Sequence, residues 1–79
     1  MRNGSTIHIS LTKESATKDN LLKLKRIVEA YPGKSPIHLH LETTHGEAVI
    51  ELEDWRVDVQ EEFIDAIGRL FGREVLRIS

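Results

Sequence analysis

The chain contains no cysteine, which excludes a disulfide framework and any thiolate metal site and is compatible with a reducing compartment. Aromatic residues are few, 5% of the 79, with a single tryptophan and a single tyrosine, so a sheet studded with stacking platforms for single-stranded nucleic acid is not expected. No apolar run approaches the roughly 20 residues of a membrane span, and the polar start from Met1 to Ser5 has no hydrophobic signal segment. The expectation is a cytoplasmic protein without membrane attachment. Gly33, Gly46, Gly68 and Gly72 stand singly rather than in a phosphate-cradling loop, and Ser5, Ser10, Ser15, Ser35 and Ser79 lack a glycine elbow that would expose a nucleophile. The common signatures of thiol, serine and phosphate-loop enzymes are therefore missing, and a non-catalytic role is expected.

What is present describes one small domain. Hydrophobic residues make up 39% of the chain and charged residues 30%, with a net charge of -2, which is ordinary globular usage for a length too short to hold two cores. A single core of this size typically leaves roughly 3 to 5 kcal/mol of net stability. Residues 1–5 read as a disordered tail added ahead of the domain, and residues 6–79 as the domain itself. A strand pattern begins so soon after Ser5 that the chain is expected to be a fragment of something longer.

From Thr6 to Thr12 apolar Ile7, Ile9 and Leu11 alternate with His8 and Ser10, the period of a half-buried strand. Thr17 then offers an N-cap with Asp19 in the first turn, and Leu21, Leu24, Ile27, Val28 and Tyr31 recur at helical spacing until Pro32-Gly33. Alternation returns from Pro36 to Thr43, and a polar Thr-Thr-His-Gly turn leads into Glu47 to Leu52, an antiparallel hairpin. Asp58 with Glu61 reads as the start of a second helix whose stripe is Val59, Phe63, Ile67 and Leu70, closed by Gly72. Arg73 to Ser79 completes a fourth strand. The order βαββαβ predicts an α+β fold of ferredoxin-like type, with a four-stranded, mostly antiparallel sheet in the order 4-1-3-2 and both helices on one face.

On that sheet His8, His38, His40 and Glu51 share the face opposite the helices. His38 and His40, two residues apart on one strand, stand roughly 7 Å from each other, close enough to reach one divalent ion. A polar cover for an open sheet face accounts for the same residues, because neither the spacing nor a third fixed ligand is specific to a metal. No metal or cofactor is assigned. His45 reads as solvated turn, and Trp55 as a lid over the edge of the core.

Charge divides along the chain. Residues 13–34 carry six Lys/Arg against three acids, whereas residues 42–65 carry nine acids against Arg56 alone. Two adjacent helices would let the basic residues of the first pair with Glu61, Glu62 and Asp65 of the second. Leu22 stands apart: at about 100° per residue it falls opposite the buried stripe, among Lys18, Lys25 and Arg26, which makes these four a candidate partner contact.

The combination of Tyr31-Pro32-Gly33, the strand Pro36 to Leu41, Arg56-Val57-Asp58 and Leu70-Phe71-Gly72 resembles the extreme C-terminal domain of the α subunit of bacterial DNA polymerase III, the replicative polymerase. The likeness runs over residues 6–79. It implies a domain that lies outside the polymerising, nuclease-like, clamp-binding and oligonucleotide-binding parts of such chains, so that no catalytic residue carries over. It further implies a docking role, joining the rest of the polymerase α chain to the clamp-loader τ subunit in the replisome, with no strong nucleic-acid binding of its own. Two other classes share the βαββαβ order or the exposed residues: a stand-alone ligand-sensing module of amino-acid-binding type, and a small metal-binding protein using the histidine face. The first usually places glycine between strand one and helix one, where this chain has Leu11-Thr-Lys-Glu-Ser-Ala-Thr17.

Overall fold

The computed structural model describes residues 5–79, Glu53 by its backbone alone. The expected tail therefore lies, apart from Ser5, outside the described residues. Strand β1 (Ile7–Leu11) leads to helix α1 (Lys18–Ala30), strands β2 (Pro32–Thr43) and β3 (Gly46–Val57), helix α2 (Glu61–Phe71), a 3-10 turn at Arg73–Val75 and strand β4 (Leu76–Ile78). The result is an α+β fold with a mixed four-stranded sheet. One cluster built from Ile7, Ile9, Leu11, Ile37, Leu39 and Val57 of the sheet with Leu24, Val28, Phe63 and Ile67 of the helices forms the core, placing both helices on one face.

The strand order is β3-β2-β1-β4, not the expected 4-1-3-2. β1 pairs with β4 and β2 with β3, both antiparallel, but β1 lies parallel and directly against β2 instead of β3. The charges on β3 suit the exchange. β2 buries Ile37 and Leu39 and carries partly covered histidines on its other face, whereas β3 carries exposed Glu47 and Glu51 and leaves Val49 and Ile50 half in solvent. A strand rich in exposed acids is more stable at the margin of a sheet than between two neighbours.

Local chemistry sets the element ends. The β1–α1 loop closes on itself, with the Thr12 N–H donating to Ser15 Oγ at 2.9 Å and the Ser15 N–H to Thr12 Oγ1 at 3.2 Å. Thr17 caps α1 as its position suggests, accepting from the Asn20 N–H at 3.1 Å. α2 begins later than the Asp58 pattern implies: its N-cap is Gln60, which makes no side-chain cap bond. Asp58 is held elsewhere, its N–H donating to Tyr31 O at 2.8 Å and its carboxylate accepting from Gln60 Nε2 at 2.9 Å. Gly72 ends α2 at a φ of 97°, as expected of a residue free of a Cβ.

β2 starts at Pro32, four residues before the expected Pro36, because Pro32 and Ser35 both pair with Val57 across a register shift. Here a side chain on Gly33 would overlap the backbone of Val57 and Asp58. The last strand is shorter than expected, the 3-10 turn taking Arg73 to Val75. Between Ile37/Leu52 and Thr43/Gly46 the β2–β3 ladder is unbroken, and since β1 stops at the Leu11–Leu41 pair, the hairpin tip projects beyond the sheet. Among the described residues no helix is long and apolar enough to cross a membrane.

Candidate functional site: an imidazole chain and a basic helix face

Strand parity gathers the histidines as the sequence suggests. His8 stands opposite His38, Ser10 opposite His40, and His38 opposite Glu51 on the face away from the helices. His8 Nδ1 and His40 Nε2 are 2.9 Å apart and share a proton, while His8 Nε2 meets Ser79 Oγ at 2.9 Å. The Glu47 carboxylate lies 3.4 Å from His40 Nδ1, and Glu51 lies 3.8 Å from His38 Nε2. The His38 ring meets His8 edge-on, with centroids 5.4 Å apart.

A carboxylate, two imidazoles and a hydroxyl thus run in a line from β3 to the end of β4. One imidazole donates and the other accepts, the direction depending on which ring nitrogen carries the proton. Partial burial, followed by the neighbouring His40, Arg77 and His38, holds the His8 pKa below its usual value. Cross-strand position also puts Arg77 beside His8, so the face already bears one fixed positive charge.

Among the described residues this arrangement has neither the geometry of a closed metal site nor that of a hydrolytic triad. Among the described residues no three His, Asp or Glu side chains surround a point that an ion could occupy. His38 turns toward Glu51 while His8 and His40 turn toward each other. Ser79 touches an imidazole, but its own N–H donates to Thr6 O at 3.0 Å, leaving that amide engaged instead of beside a developing oxyanion. The shallow cleft next to the chain, about 460 Å³, is lined by Ser10, Thr12, His40, Glu42 and Glu47 among others. Sequence parity finds the three histidines and Glu51. It misses Ser79, whose place depends on β4 lying beside β1, and it puts Glu47 on the same face as Glu51 without showing that its carboxylate reaches His40 on β2.

The second candidate lies on α1. Leu22 is 51% exposed, and Lys18, Lys25 and Arg26, one turn away on either side, are exposed with it. Thr17 fixes the start of the helix, Leu24 and Val28 fix its buried side, and Leu22 is thereby turned outward. The expected pairing of this basic helix with α2 is not formed among the described residues. Lys23 bonds Asp19 within α1 at 3.1 Å, and Asp65 of α2 pairs with Arg73. Lys23 is satisfied within α1 and Asp65 by the adjoining turn, and among the described residues no ion pair joins Lys18, Lys25 or Arg26 to α2, so the basic face of α1 stays open. Trp55 is half-buried against the core edge, beside Val28 and Pro32, as a lid would be, and His45 is exposed in the hairpin turn.

Comparison of the chain with protein-family models and with curated proteins returns no match.

Proposed function

We propose that the domain is a non-catalytic docking module of the kind found at the extreme C-terminus of the bacterial replicative polymerase α subunit, and that its partner is the clamp-loader τ subunit. The observation that carries the reading is Leu22, an exposed leucine with a basic rim of Lys18, Lys25 and Arg26 on a helix that leaves these charges free of α2. An apolar centre with a charged rim is the anatomy of a small interface hot spot. The resemblance at Tyr31-Pro32-Gly33, Arg56-Val57-Asp58 and Leu70-Phe71-Gly72 supplies the identity of the partner. In this reading the domain works in the cytoplasm and binds no DNA strongly, in keeping with a net charge of -2.

A ligand-sensing role finds less support. The loop between β1 and α1, where such a module would hold its ligand against free backbone, is occupied by the reciprocal Thr12–Ser15 bonds.

Leu22→Asp tests the docking role. An exposed substitution typically alters stability by about 0.5 kcal/mol or less, so the melt of the variant should match the parent. Its affinity for purified τ should fall at least tenfold, the scale of a lost hot spot. Equal affinities would remove Leu22 from the interface, and a collapsed melt would return it to the core.

A further inference from the structure

We infer that the free margin of β3 is a docking site for an extended segment of a partner protein, added as a further strand, in which two Lys or Arg residues four positions apart bracket three apolar ones. β3 lies at the end of the strand order, and the ladder that ties it to β2 is regular from Gly46 to Leu52. Both register shifts fall beyond that stretch, and it contains no proline. Its outer N–H and C=O groups therefore form an unbent template of the kind that pairs with another chain. The opposite margin, β4, is only three residues long and offers no comparable length.

The side chains on this margin specify what fits. On the open face Glu47, Val49 and Glu51 follow one another, with Val49 50% exposed, and on the helix side Ile50 is 40% exposed between Ala48 and Leu52. A strand laid antiparallel against them meets acid, Val, acid on one face and apolar residues on the other. Opposite-charge pairs and aliphatic pairs are the favourable cross-strand neighbours, which gives the basic, three apolar, basic pattern. Residues 42–54 contain five acids and no Lys or Arg, so the wider surroundings attract the same cationic segment. A second copy of this chain is a poor occupant: a two-fold pairing of β3 centred on Val49 sets Glu47 against Glu51 twice, and like charges directly opposite are destabilising.

The whole chain, labelled for backbone amide spectra, is titrated with the peptide acetyl-Thr-Lys-Val-Val-Val-Lys-Thr-amide. Three comparisons accompany it: the same peptide with Glu for Lys, the peptide N-methylated at alternate residues, and the chain carrying Glu47→Lys with Glu51→Lys. The expected result is shifts and exchange protection confined to Gly46–Leu52, binding weakened roughly tenfold or more by either charge reversal, and no strand protection by the N-methylated peptide. Unchanged core amides confirm that the doubly substituted chain is folded. Equal binding of the N-methylated peptide would reduce the effect to charge attraction and overturn the inference. So would shifts centred on α1, self-association through β3 without peptide, or no protection at all, which would leave the acids as guards against edge pairing.

Discussion

His8 and Gly33 are held by opposite constraints, one chemical and one steric. His8 carries a folded-state pKa lowered by partial burial and by His40, Arg77 and His38. Below its unfolded value of about 6.5 the unfolded chain therefore takes up the proton first, and stability is lost as pH falls from neutral through the folded pKa. A urea midpoint measured from about pH 7.5 to 5 should decline more steeply for the parent than for His8→Gln, which has nothing to titrate at that position. Parallel curves would show that His8 contributes no proton linkage. Gly33 has no room for a side chain between the start of β2 and the backbone of Val57 and Asp58. Gly33→Ala should cost about 1 to 3 kcal/mol, the range of overpacking, because the atoms in the way are main chain and cannot rotate aside. An unchanged denaturation midpoint would mean that the two segments part without penalty.

Within a single element, two neighbouring leucines answer to different forces. Leu24 is fully buried whereas Leu22 is half in solvent, two residues away on the same helix. Leu24→Ala should cost roughly 2 to 5 kcal/mol, comparable with the whole stability of so small a core, and the variant should lose its cooperative thermal transition. A melt within a few degrees of the parent would place the helix in the wrong phase. That phase was legible beforehand because helical period is a property of consecutive residues, as was the Thr17 cap. The start of α2 was not: Asp58 looks like a cap in isolation, but its carboxylate accepts from Gln60 Nε2 and the helix begins at Glu61. The position of β3 in the sheet was hidden for a related reason. Alternation tells which side of a strand faces the core but does not name its neighbour, so the expected order put β3 inside the sheet where the structure has it at the margin.

For the molecule as a whole, the uneven charge of the sequence becomes a division of surfaces. Four of the eleven Lys and Arg residues lie on α1, and the acids of β3 line the far margin of the sheet. The expected neutralisation between helices is not formed among the described residues: Lys23 pairs with Asp19 and Asp65 with Arg73 instead. Leu22 and its three cations were readable from helical phase alone, and the histidine face from strand parity. The imidazole chain was not, since it requires Ser79 to arrive beside His8 from the other end of the sequence. In this protein local periodicity yields faces, while partners across the sheet come from the competition among strands for central and marginal places.

The meeting of Thr6 with Ser79 has a further consequence. Each donates its N–H to the other's carbonyl, at 3.2 and 3.0 Å, so the first strand and the last are neighbours at the molecule's seam. The cyclic order of the elements is then closed, and the chain can be opened elsewhere without disturbing the sheet. A circular permutant joined from Ser79 to Met1 by a short glycine linker and opened between Thr44 and His45, in the exposed hairpin turn, should keep the parent's amide spectrum outside the new ends. Its refolding should be slower or faster according to which strand pair nucleates the sheet. Joining β4 to β1 in sequence turns a long-range closure into a hairpin-like one, so a permutant that folds faster would identify the seam as the late step in the parent's folding.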